Sequence, residues 1–286
     1  MPEKITLNRS NIVNGSNNTQ LEFKFPTTTE LKDKVISVEY LSLYNSWYNI
    51  DYGLYNNNSF QYKWWDTSGN LTQIHTITFP DGYFSIDTMQ TYIEVEMNKK
   101  GHYVIVAEKT YYFFKLIDNP TFYSIDIELT PMYSTSQIPN SGIIKGGNTW
   151  NFPATPQCIQ VIINSTNNYG KLIGFSPNSY PSNVVSTKPV LRSNLTPQLD
   201  PVSSIVMRCS MIKNNLSTPN DVLITFSSGN ASFGDLVEIK PNYQSTSNIA
   251  NSTYDTFKIT LTDQSYGQMK IIDPDILITL VIDEKK

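Results

Sequence analysis

Hydrophobic and polar residues alternate with a period of two along much of this chain. Leu21, Phe23 and Phe25 are separated by Glu22 and Lys24, and Phe60, Tyr62 and Trp64 by Gln61 and Lys63. In residues 123–129 the apolar Tyr123, Ile125, Ile127 and Leu129 fall on one side, with Ser124, Asp126 and Glu128 on the other. Phe257, Ile259 and Leu261 repeat the pattern around Lys258 and Thr260. Successive side chains of a strand point to opposite faces, so these segments predict half-buried strands of an antiparallel sandwich or barrel. Further strands are predicted at 35–44, 71–79, 103–107, 111–117, 159–163, 205–212, 222–226, 237–240 and 276–282. The last is apolar in both phases, which predicts a central strand covered on both faces. The fold class is all-β.

One segment keeps a different period. Ile86, Met89, Ile93 and Met97 recur at helical spacing, with Ser85 placed as N-cap, Asp87 in the first turn, and Lys99, Lys100 and Gly101 at the end. Before it, Phe79-Pro80-Asp81-Gly82-Tyr83 reads as a turn in which Gly82 is free to take a positive φ. Residues 131–201 hold nine of the 16 prolines together with Gly146-Gly147. With no repeat and no linker-like shift in composition, the reading is one domain over 1–286, elaborated by long loops at 131–151 and 175–201.

Composition then removes whole classes. The chain has 286 residues, a net charge of −4 and only 16% charged residues, with 12% aromatic. Disorder does not fit so aromatic a chain, and a surface with three arginines in all (Arg9, Arg192, Arg208) lacks the basic face that phosphate backbone demands. No nucleic-acid specificity is expected. The longest apolar run, 276–282, is far short of a bilayer span. The polar start predicts no signal peptide, and Cys158 and Cys209 are expected as free thiols facing different surroundings in a reducing compartment.

Catalysis has little to work with. The only histidines, His75 and His102, are expected to be solvated or satisfied side chains, since no Cys or carboxylate cluster joins them as a zinc set. Three carboxylate pairs could suggest glycosidase chemistry: Asp126 with Glu128, Asp273 with Asp275, and Glu94 with Glu96. On exposed β and helix surfaces they read as solvated charges. No catalytic residue, metal or cofactor is expected, and the protein is not read as an enzyme.

The informative signal is aromatic. Residues 40–65 hold ten aromatics: Tyr40, Tyr44, Trp47, Tyr48, Tyr52, Tyr55, Phe60, Tyr62, Trp64 and Trp65. On a regular strand Trp64 and Trp65 project to opposite faces. With Phe60, Tyr62 and Trp64 in the core, Trp65 lies under a loop, against a neighbouring subunit, or on a sugar-stacking platform. Tyr44, Trp47, Tyr48 and Trp65 are the interface candidates, because Tyr and Trp join large apolar area to a polar handle. The alternative reading is a carbohydrate-binding β-sandwich with Trp65 or Trp47 exposed.

Several stretches, in order, resemble the penton (minor capsid) proteins of virophages and Polinton-type elements. They are Tyr44-Asn45-Ser46-Trp47-Tyr48-Asn49-Ile50, Asn57-Asn58-Ser59-Phe60-Gln61-Tyr62, and Phe79-Pro80-Asp81-Gly82-Tyr83-Phe84-Ser85-Ile86 before the helix. Leu172-Ile173-Gly174-Phe175, Ser204-Ile205-Val206-Met207-Arg208-Cys209 and residues 257–280 follow. The resemblance implies a single jelly-roll antiparallel β-sandwich with one short helix and long loop elaborations. It further implies a homopentamer at icosahedral fivefold vertices that contacts the major capsid protein, made in the host cytoplasm and resident in the virion. Some members carry a large insertion that forms an upper domain; nothing in this composition marks a separate one.

Overall fold

The computed structural model describes residues 2–138, 142–241 and 245–285. In chain order, β1 (Glu3–Leu7), β2 (Gln20–Leu31) and β3 (Lys34–Tyr44) come first. After α1 (Tyr52–Tyr55) follow β4 (Ser59–Trp65), β5 (Leu71–Thr78), α2 (Ile86–Lys99), β6 (Val104–Val106), β7 (Lys109–Tyr111), β8 (Phe114–Asn119) and β9 (Ser124–Leu129). Then come β10 (Ile144–Lys145), β11 (Val161–Ile163), α3 (Tyr169–Ile173), β12 (Asn178–Tyr180) and β13 (Val190–Arg192). The chain closes with β14 (Ile205–Cys209), β15 (Val222–Phe226), β16 (Leu236–Ile239), β17 (Ser247–Asn248), β18 (Ser252–Asp263) and β19 (Leu277–Glu284).

These elements divide into two compact units. The first takes the chain up to Trp47 and again from Val202, and the second is Tyr48–Pro201. A second core was not foreseen from the alternation. The period of two reports that a strand has a buried face, and both units are built of such strands.

In the first unit one sheet has the order β1-β19-β3-β16, with the short β17 also on β3, and the other has β15-β14-β18-β2. Setting β17 aside leaves eight strands whose antiparallel pairs are nested. The first pairs with the eighth (β1 with β19), the second with the seventh (β2 with β18), the third with the sixth (β3 with β16) and the fourth with the fifth (β14 with β15). A long hairpin wound over on itself in this way is a jelly roll. The second unit is inserted in the connection between its third and fourth strands. Leu7, Leu41, Leu43, Ile278 and Leu280 from one sheet and Leu21, Met207, Phe257, Ile259 and Leu261 from the other make its core.

The bulges keep the apolar residues on one face. In β3 the buried residues change phase, from Ile36 and Val38 to Leu41 and Leu43. Across from them the register steps from Leu280 opposite Val38 to Thr279 opposite Tyr40, so one extra residue of β3 is absorbed and both apolar sets face inward. β19, expected to be central, lies between β1 and β3, with Ile278, Leu280, Val281 and Ile282 buried but Leu277 37% exposed.

The second unit has three small antiparallel sheets, β12-β11-β4-β5, β13-β9-β8 and β10-β6-β7. The expected helix is α2: the Ser85 hydroxyl accepts from the Thr88 N–H at its start, and Ile86, Met89, Ile93 and Met97 are buried. α1 and α3 add single turns that the sequence reading lacked. The two expected loops are partly sheet. β10 pairs with β6, β12 with β11, and β13 with β9, so backbone pairing orders them; 139–141 lie outside the described residues. Gly82 does not take a positive φ and instead exchanges two backbone hydrogen bonds with Ile50.

Candidate functional site

The structure seats two of the four interface candidates inside the protein. Trp47 is 3% exposed in the core of the jelly roll, and Trp65 is 0% exposed in the core of the inserted unit. Tyr44 and Tyr48 are half-buried. Trp64 and Trp65 do not occupy opposite faces either. The register of β4 against β5 shifts between them, and their rings meet edge to face at 4.8 Å. Of the three places expected for Trp65, burial under its own chain is the one found. A sugar platform built on Trp47 or Trp65 is thereby removed.

Among the carboxylate pairs, Asp126 departs from expectation, while Asp275 is exposed as expected. Asp126 is buried, not solvated, because β9 is the central strand of its sheet. Register places Arg192 opposite Asp126, where the guanidinium lies 3.3 Å from the carboxylate and 3.7 Å above the Phe122 ring. Asn119 donates a second hydrogen bond to Asp126. Glu128 pairs with Lys188 at 2.7 Å, Glu96 with Lys99 at 2.6 Å, and Glu94 accepts from Gln90. Asp273 accepts the N–H of Asp275 in a turn. The Asp275 carboxylate lies 3.7 Å from Arg9, so each of the six carboxylates has a local partner of its own.

The residues that do converge are the two histidines, 27 positions apart in sequence. β5 turns Leu71, Gln73, His75 and Ile77 to one face, and pairing with β4 sets His75 beside Tyr62. His102 arrives from the end of α2. Gly101 takes φ +70°, its N–H bonds to Asn98 O, and the His102 N–H bonds back to Met97 O, which is a Schellman closure. The imidazole is thereby carried into the core, 1% exposed, where a hydrophobic residue commonly closes this motif. It stacks on Trp64 at 4.4 Å and meets His75 edge to face at 4.4 Å. Its Nδ1 lies 2.7 Å from the Tyr62 hydroxyl.

Electrostatics fix the protonation here. Burial, then His75, then Lys100 hold His102 down at about 3, and burial followed by Lys100 lowers His75. Burial, then Glu96, raises Tyr62, so the phenol keeps its proton, and the His102 tautomer sets which of the two groups donates in their hydrogen bond. The Trp150 indole donates to Gly101 O at 2.8 Å. Two neutral imidazoles among indoles have no third ligand, and no group of three or more His, Cys, Asp or Glu able to hold a metal occurs among the described residues. The thiols are equally quiet: burial pushes Cys158 up to about 11 and Cys209 to about 12, in separate cores. Gly101 was the legible signal for His102, and the phase of β5 was the signal for His75. Their meeting depends on long-range pairing that neither signal contains.

No family model and no curated protein matches the chain. Among solved structures it is similar to the crystal structure of SeMet-labelled mavirus penton protein, with a TM-score of 0.48 and 14% identity over 99% of this chain and 98% of that one. It is also similar to the 3.5 Å cryo-electron-microscopy structure of the Sputnik virophage, with a TM-score of 0.41 and 12% identity over 99% and 98%. Likenesses this loose assign no family. The jelly roll stands on its own strand order.

Proposed function

We propose that this chain is a structural viral capsid protein, a penton subunit that assembles as a homopentamer at icosahedral fivefold vertices and contacts the major capsid protein. The observation that carries the reading is the complete nested set of eight strands, filled from both sheets by apolar side chains. Jelly rolls of this kind serve as capsid building blocks. Repeated heterologous contacts close into a ring when each step turns one fifth of a circle. The order of the penton-like stretches in the sequence supports the same assignment. Its activity is assembly, not turnover, and its place is the virion vertex after synthesis in the host cytoplasm.

Trp47 and Trp65 drop out of the proposed contacts because they are buried. Tyr44 and Tyr48 remain, along with the segments at 131–151 and 175–201. Mass measured in solution tests the reading: five copies are expected, seen as rings by electron microscopy and taken into shells formed with the major capsid protein. A chain that stays monomeric at high concentration and does not join shells overturns it.

A further inference from the structure

The inserted unit holds a buried imidazole, His102, set against a half-buried one, His75, in surroundings that disfavour their charged forms. Its packing accounts for every neighbour that bears on charge. β4 contributes Tyr62 and the Trp64 ring, and β5 contributes His75, whose Nε2 lies 3.2 Å from Gln73 Oε1. The C-cap of α2 contributes Lys100, which opposes a positive charge on either imidazole, and α2 itself contributes Glu96, which acts on Tyr62 and is already paired with Lys99. Charging His102 puts an N–H on both ring nitrogens, so Nδ1 can no longer accept from the Tyr62 hydroxyl and Nε2 must find an acceptor inside the core. It also sets a cation against a second imidazole with ring centres 4.4 Å apart. No carboxylate among these neighbours lies within ion-pairing distance of either ring to offset that charge.

We propose that the Tyr62–His75–His102 cluster is an acid-sensitive latch: on acidification the buried His102 takes up a proton by leaving the core, and the α2 end and the Gly101–Trp150 contact open with it. The sign follows from linkage. A base whose folded pKa lies below its unfolded value is bound to more protons when unfolded, so stability falls as pH falls. The contribution is complete above about 6.5, the ordinary imidazole value, and for His102 it is lost progressively down to about 3. One proton per molecule changes the open-to-closed ratio about tenfold per pH unit. From pH 6.5 to 4.5 the ratio therefore rises about fiftyfold through His102 alone, because the free imidazole is already half protonated at 6.5. Opening exposes Trp64, Trp65 and Trp150 together, which turns a small pH step into a large apolar surface.

The test uses the full chain. Tryptophan emission and hydrogen exchange at 86–113 are followed from pH 7.5 to 4, since three of the four tryptophans lie in this unit. Red-shifted emission and faster exchange across that range are expected in the wild type, with the pH dependence flattened in His102→Gln and reduced in His75→Gln. Equal acid responses in the wild type and both variants overturn the proposal, because carboxylates would then be responsible. If His102→Gln does not fold, NMR titration of the wild-type imidazoles decides. A His102 ring that titrates near 6.5 with the fold intact sinks the latch, and one that stays neutral until the unit opens supports it.

Discussion

Ala107 and Glu108 sit at φ +48° and +64°, a region that side chains other than Asn and Gly rarely favour. They form the two-residue connection between β6 and β7, where Val106 pairs with Lys109. Such a turn suits Asn-Gly. The double substitution Ala107→Asn, Glu108→Gly is expected to stabilise the inserted unit by about 1 kcal/mol. A higher urea midpoint with an unchanged m-value would show it. Trp65 teaches a different lesson at this scale. Alternation assigns a face to every residue of a regular strand, and one register shift brought Trp65 onto the same core as Trp64. Their two indole N–H groups are buried with no partner among the described residues. Nothing in the residue types announces a bulge, so burial of Trp65 was one of three open places for it, and the burial of Asp126 waited on the pairing that makes β9 a central strand.

Elements were read more faithfully than residues. Ser85, the four apolar residues and Gly101 located α2 because capping and spacing are local. β2, β4, β9 and β18 stood out because each alternates over its inward positions. What failed were the segments rich in proline and glycine, where short strands form only by pairing with distant partners. The Gly146-Gly147 pair has a physical reason that was not visible in the sequence. A Cβ on Gly101 would lie 2.8 Å from the Gly147 Cα, and one on Gly146 would enter the Tyr103 ring at 2.5 Å. Gly101→Ala is therefore expected to cost about 2 kcal/mol or more, from the positive φ and the backbone clash together. Chemical denaturation measures the loss, and hydrogen exchange should place it at the C-terminal end of α2. Gly147→Ala, whose nearest approach is 3.3 Å, should be the milder change.

For the whole molecule the sequence reading expected one domain with loop elaborations, and the chain has two compact units with their own cores. We expect heat to unfold them in two steps. Calorimetry should resolve two transitions, and the emission of Trp64, Trp65 and Trp150 should follow one of them. A single transition, coincident by both probes, would make the chain one cooperative block. The eight-strand order itself could not be read from alternation, since a nested set and a simple meander carry the same period.

The pairing of residues 3–7 with 278–282 also sets a timetable. A ribosome adding about 5–20 residues per second finishes Tyr48–Pro201 several seconds before it releases the strand that β1 needs. Until then β1 has no partner strand and one side of β3 is unpaired. The strand that lies between β1 and β3 is β19, made after every other strand of the jelly roll. Without β19, β1 has no strand to pair with and β3 loses its neighbour on that side, so this sheet closes only once residues 277–284 are in place.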